Sequence, residues 1–256
     1  MTLWVRYAHD HIVGFGTLDG GLIAEHQGVM LEAAAPTGRR TIPLAEVTLL
    51  TPTVPSKFIG LWNNFHASAA KQGNAIPAEP LYFLKGANSY HPTGAPIRVP
   101  PKYEGKVLYE GELGIVIGRT LFDVDETEAE AGIFGYTCVN DVTALDPLHR
   151  DPSFAQWTRA KSFDTFGIFG PAIATGLDPA TLTIKTLVNG RERQNYPASD
   201  MIFSPRQIVS LISRDLTLEP GDVIACGTSL GAGPMRSGTQ VEIVIEGIGT
   251  LSNLMA

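Results

Sequence analysis

Short apolar runs broken by turn residues fill the first 50 positions. WVRYAH, HIVGFGTL and GGLIAEHQG alternate apolar and polar side chains with the two-residue period of half-buried strands, which predicts a small antiparallel β domain over residues 1–50. TPTVPSK then brings in two prolines. Residues before proline favour extended backbone, so Thr51 to Ser56 reads as an ordered linker into a main domain spanning 51–256. That domain begins with strand-like KFIGLW, followed by a short helix in NNFHASAAKQGN, where alanines favour helix and Gly73-Asn74 ends it. PLYFLK follows as a strand, KVLYEGELGIVIGR as one long strand, DETEAEAGI as a short acidic helix and FGYTCVND as another strand. SPRQIVSLISRD has the apolar spacing of an amphipathic helix, with Pro205 in its first turn. LTIKTLVNGRERQ predicts a hairpin around Asn189-Gly190, and GDVIACGTS and TQVEIVIEGIGTL supply buried strands near the C-terminus. Many strands and few short helices, without the regular alternation of a doubly wound sheet or an α/β barrel, define an α+β, mainly β class.

Composition narrows this picture. A chain of 256 residues that is 44% hydrophobic can build one sizeable core, with little room for several independent domains. Its apolar runs fall short of the roughly 20 residues needed to cross a bilayer, and MTLWVRYAHDH lacks a basic-then-apolar leader pattern, so a cytoplasmic protein with no membrane partner is expected. The net charge of -7 comes without a long acidic or basic block, which argues against nucleic acid as a partner. Cys138 and Cys226 lie in apolar runs and form no CxxC pair, so they read as buried free thiols and not as zinc ligands.

Chemistry enters with YEGELGIVIG. Glu110 and Glu112 are two apart, so on a strand both carboxylates project from one face. Side by side they repel, and a hard cation makes their burial tolerable; Asp141, at the end of the apolar FGYTCVN run, can bring a third carboxylate to the same rim. Oxygen-only ligation favours Mg2+ or Mn2+ over zinc. Alternating acids also occur on solvated strand faces, and the spacing alone does not decide between the two readings. Gly227 to Gly231 formally matches a GxSxG nucleophile elbow. The glycine-rich GAGPMRSG follows it where an elbow needs a helix, and no histidine lies downstream of Ser229, which sets serine-hydrolase chemistry aside.

The ordered set PLYFLK, YEGELGIVIGR, GYTCVNDVTA, QWTRAKSFDTFG, NYPASDMIFSP, TLEPGDVIACGTS and VEIVIEGIGTLSN closely resembles the fumarylacetoacetate hydrolase (FAH) family over roughly residues 57–253. The first 50 residues look like that family's small N-terminal extension. The resemblance implies a mixed β-sandwich roll, a homodimer, and Mg2+ or Mn2+ at the catalytic centre. It maps Glu110, Glu112 and Asp141 onto the metal ligands. Lys161 in RAKSFD matches a lysine that neighbours the metal and binds substrate oxygen or stabilises an enolate. Thr228 in CGTS falls where a Gly-Thr-Pro motif contacts substrate, with Ser229 in place of proline, and Lys85 in YFLK falls on a site-lining position. His66 occupies the place of a water-activating histidine, but the glutamate that many relatives carry three residues on is Ala69 here. Leu145 and Leu148 stand where many relatives carry an arginine and a glutamine able to hold a substrate carboxylate, with His149 and Arg150 as nearby polar replacements.

The implied partner is a small-molecule 2-oxo acid or dicarbonyl substrate. The implied reaction is metal-dependent hydrolysis of a carbon-carbon bond in an acylpyruvate-like acid, in catabolism of aromatic-derived compounds. The two leucines point to a more apolar substrate than a short diacid. Ala69 points to a second branch, in which the same enolate supports decarboxylation, tautomerisation or double-bond isomerisation. A noncatalytic, metal-stabilised small-acid binding protein is a third reading; a lysine beside the three carboxylates counts against it, because a structural cation needs no such neighbour.

Overall fold

The computed structural model describes residues 1–32 and 34–256, the side chains of residues 38–40 excepted. The N-terminal meander forms as its alternation predicts, with strands Thr2–His9, Ile12–Asp19, Leu22–Gln27 and Ala35–Pro43 pairing antiparallel in succession. It is continuous with the rest of the chain: Thr2, Leu3 and Trp4 pair with Thr175, Ala174 and Ile173. From the meander the sheet runs on through Gly167–Thr175, Ile133–Asp141, Gly111–Ile117, Val223–Ala225, Phe58–Trp62 and Leu81–Lys85. Two smaller sheets flank it. One combines Thr143–Ala144, Val107–Tyr109 and Gly233–Met235; the other combines Arg191–Pro197, Thr183–Val188, Gln240–Ile245 and Gly249–Leu254. The fold is thus mainly β, a roll of one large and two smaller sheets with few short helices.

Gly111–Ile117 is buried along its whole length, as expected of a central strand covered on both faces. Leu113, Ile115 and Ile117 share one core with Ile184, Ile243 and Ile245 of the four-stranded sheet. The Asn189-Gly190 hairpin forms as read, both residues adopting positive φ (50° and 74°) between the paired Val188 and Arg191. The helix His66–Gln72 ends at Gly73, whose φ of 69° is the left-handed conformation that glycine adopts without a Cβ penalty.

Several elements differ from the expectation, the short helices Leu145–His149 and Trp157–Lys161 among them. KVLYEGELGIVIGR is not one strand: Val107–Tyr109 belongs to the three-stranded sheet and Gly111–Ile117 to the large one, with Glu110 at the crossing. The break leaves no backbone group of Glu110 unpaired, because its N–H donates to Asn140 Oδ1 at 3.1 Å and its carbonyl accepts from Asp141 N at 2.9 Å. The strand Gly167–Thr175 was not read from the sequence at all. Pro171 lies in its middle and argues against an interior strand. The structure accommodates it opposite a register shift between Tyr136 and Cys138.

Candidate metal and substrate site

Glu110, Glu112 and Asp141 each offer a carboxylate oxygen, and the three lie within 4.8 Å of one another. Strand register produces this convergence. Gly111 pairs with Asn140, which sets Asp141 beside Glu110 at the end of its strand. The glycine between the acids is itself required: a Cβ at Gly111 would lie 2.1 Å from Thr186 Oγ1, because that side of the strand packs closely on the four-stranded sheet.

Two lysines meet these acids. Lys161 Nζ donates to Glu110 Oε2 at 2.7 Å and to Asp141 Oδ2 at 2.5 Å; Lys85 Nζ donates to Asp141 Oδ1 at 2.5 Å. Burial presses the Lys161 ammonium downward, but Asp141, Glu110 and Glu112 outweigh it and hold the pKa above its ordinary value. Lys85 is fully buried with one carboxylate partner, and there burial wins and lowers its pKa. Burial opposes ionisation of Asp141 as well, yet the two lysines bring its pKa below the usual carboxylate value. Glu112 has no lysine partner. Its Oε2 accepts from Gly227 N at 2.7 Å, while Oε1 is buried without any hydrogen bond. Burial, followed by the charge of Asp141, pushes its pKa well above normal. An orphaned carboxylate oxygen facing two more carboxylates suits a hard divalent cation, so the residues present fit Mg2+ or Mn2+.

Beside this cluster lies a cavity of about 400 Å³. Its polar lining includes Glu110, Lys161, Thr228 and Ser229; its apolar wall is Trp62, Phe83, Leu108, Leu145, Leu148 and Trp157. The wall and Lys161 are built together. Trp157 and Lys161 are four apart on the helical turn Trp157–Lys161; the indole stacks on the Phe83 ring (5.5 Å, 12°) and the ammonium sits 5.0 Å from the same ring's centroid. The Phe83 ring packs against Gly60, where a Cβ would come within 2.5 Å of it.

The remaining candidates separate. Lys85 contacts Asp141 from within the core and does not line the cavity. His66 is exposed at the start of its helix; Ser68 and Gln72 of that helix line the cavity and His66 does not. His149 does line it. Thr228 lines it too, but its hydroxyl donates to Gly111 O at 3.0 Å and accepts from Gln194 Nε2 at 2.9 Å. Gln194 went unread in the sequence. It is buried, with Oε1 accepting from Gly111 N and Thr186 Oγ1, and it joins the Glu110-Gly111-Glu112 segment to the Thr228 loop. A buried glutamine amid the exposed side chains of Arg191–Pro197 becomes visible only when the sheets are packed. The two cysteines are free and buried, and the Gly227–Gly231 segment leads into the strand Gly233–Met235, not a helix.

The chain is thus a mainly β roll that sets a carboxylate-lysine cluster, with a donor set suited to a divalent cation, beside a cavity with an apolar wall. Residues 57–256 match the family model described as fumarylacetoacetate (FAA) hydrolase C-terminal, and residues 3–52 match one described as Rv2993c-like, N-terminal. The chain belongs to the fumarylacetoacetate hydrolase family. A crystal structure of 2-hydroxyhepta-2,4-diene-1,7-dioate isomerase from Mycobacterium marinum is 40% identical with a TM-score of 0.91, covering 100% of this chain and 98% of that one. An oxaloacetate tautomerase of Bacillus subtilis is 37% identical over 224 residues, 82% of this chain and 73% of its own. A maleylpyruvate hydrolase from Sphingobium sp. SYK-6, solved with manganese(II) and pyruvate, is 29% identical with a TM-score of 0.81, covering 100% of this chain and 99% of that one. Enzymes of at least three reaction types therefore share this fold, and a carboxylate cluster suited to a divalent cation accompanies it here.

Proposed function

We propose that the protein is a divalent-metal-dependent tautomerase or double-bond isomerase of a small 2-oxo acid with an apolar or aryl substituent. The observation that carries this reading is the make-up of the cavity: Lys161 and Glu110, one member of the carboxylate cluster, line it, His149 is its lining imidazole, and His66 lies outside it. Glu110, Glu112 and Asp141 would hold Mg2+ or Mn2+. When bound, the cation supplies Lewis-acid polarisation of the substrate's 2-oxo group.

The protein side of the chemistry follows from charge and placement. Three carboxyl groups meet two lysines here, and a bound divalent cation would add positive charge beside Lys161, which favours an acid as the ligand. Lys161, kept protonated by Asp141 and Glu110, donates a hydrogen bond to the oxygen that gains charge as the carbon acid loses its proton. His149 takes that proton at carbon and returns it at the far end of the enol system. Trp62, Leu145, Leu148 and Trp157 exclude water and hold the substituent, which supports a substrate derived from aromatic compounds.

Hydrolytic cleavage of an acylpyruvate is the second reading, favoured by the full-length likeness to the maleylpyruvate hydrolase. It needs a group to activate water, and His66 has Ala69 where an orienting acid would stand. The two readings separate in deuterium oxide. With Mn2+ and oxaloacetate or acetylpyruvate, the proposal expects proton exchange at C3 faster than in a Glu110→Ala control, with no cleavage. Formation of pyruvate plus acetate from acetylpyruvate would establish the hydrolase instead.

A further inference from the structure

The loop Gly227–Gly231 is held from three directions. Gly227 N donates to Glu112 Oε2 at 2.7 Å, Tyr109 Oη donates to Gly231 O at 2.9 Å, and Gln194 Nε2 reaches Thr228 Oγ1 at 2.9 Å and the carbonyls of Ser229 and Leu230 at 3.4 Å. At Gly231 the backbone passes so close to Arg193 that a Cβ would lie 2.1 Å from its carbonyl oxygen. Ser229 is therefore fixed in place. Thr228 beside it has one hydroxyl proton, and that proton is committed to Gly111 O. Ser229 is the opposite case: it is 4% exposed, it lines the cavity, and its Oγ has no hydrogen-bond partner among the described residues.

A buried hydroxyl left unpaired costs about 1–3 kcal/mol. Such a group persists at a rigid position when something other than the fold uses it. Two residues away, Gly227 N donates to Glu112 Oε2, which ties the loop that carries Ser229 to the carboxylate cluster. We infer that the Ser229 hydroxyl is a substrate-binding group of this chain, donating a hydrogen bond to a carboxylate oxygen at the 2-oxo acid end of the ligand. The inference rests on the reading of the cavity as a 2-oxo acid site. It also assigns the substrate-contacting hydroxyl of the CGTS motif to its serine and gives Thr228 a structural task. Where the resembled motif has proline, no side-chain donor exists.

The test uses oxalate, a small planar mimic of the 2-oxo acid end, titrated calorimetrically into the Mn2+-loaded protein. Ser229→Ala and Ser229→Pro are expected to weaken oxalate about 10-fold or more, the scale of one hydrogen bond to a charged group. Mn2+ affinity should stay unchanged, and the Tm of Ser229→Ala should be equal to or above that of the parent. Thr228→Val should instead lower the Tm. Unchanged oxalate affinity in Ser229→Ala, or a Tm loss matching that of Thr228→Val, overturns the inference while leaving the proposed function standing. A parent protein that binds Mn2+ but not oxalate overturns the inference together with the 2-oxo acid reading of the cavity.

Discussion

The two ends of the cavity are built by different rules. At the polar end, the cluster of Glu110, Glu112 and Asp141 is set by strand register locked by backbone pairing and by Asn140, and five of its six carboxylate oxygens are tied to Lys85, Lys161, Thr143 or Gly227. At the apolar end, Leu145, Leu148 and Trp157 lie on two short helical turns, Leu145–His149 and Trp157–Lys161, and the Trp157 indole is held by stacking on Phe83. Removing a partner at the first end strands a buried charge; changing a side chain at the second alters shape. The candidate cation ligands therefore come from strand ends, whereas the apolar wall, Lys161 and His149 come from the short helices between Asp141 and the strand Gly167–Thr175.

This contrast can be broken most severely at Glu112. Glu112→Gln should weaken Mn2+ by more than about 100-fold, since even groups that only support a ligand cost 10–100-fold. Calorimetry should show the loss, turnover should vanish, and the Tm increase that Mn2+ gives the parent should disappear. Lys161→Met should lower kcat about 100-fold, the scale of losing one donor to a developing oxyanion, as read by steady-state kinetics at saturating Mn2+. It should also weaken the fold, because Asp141 loses its 2.5 Å partner.

Gly111→Ala tests whether the polar end depends on close sheet packing. Overpacking against Thr186 should cost about 1–3 kcal/mol, lowering the Tm by roughly 2–4 °C for each kcal/mol in a chain of this size, measured by calorimetry. The smallest effect belongs to the apolar end. Leu145→Arg with Leu148→Gln should leave Mn2+ affinity unchanged and shift the kcat/KM ratio of oxaloacetate to an aryl-substituted 2-oxo acid about 10-fold toward oxaloacetate. An unchanged ratio would remove the wall from the specificity argument.

Much of this was visible in the one-dimensional pattern. The alternating N-terminal runs, the Asn189-Gly190 hairpin and the helix ended by Gly73 follow from local rules, and each formed where its residues indicated. Local rules failed where tertiary context overrode them. Pro171 hid a central strand, because a missing N–H is tolerated beside a register shift that no single-strand pattern reveals. Glu110 hid a strand break, because a side-chain acceptor, Asn140 Oδ1, receives its N–H in place of a ladder partner.

By itself the sequence determined that the chain is mainly β and that three carboxylates and two lysines stand in motifs characteristic of the family it belongs to, since strand alternation and motif chemistry are written in neighbouring residues. Only the tertiary structure decided which of the singled-out residues share a cavity. It set Lys161, Thr228 and His149 on the lining, His66 outside it and Lys85 beneath it. It also left Glu112 Oε1 and Ser229 Oγ without partners. The reason is physical: a hydrogen bond or its absence depends on which atoms of distant segments come within about 3 Å, and sheet register, not sequence spacing, controls that approach.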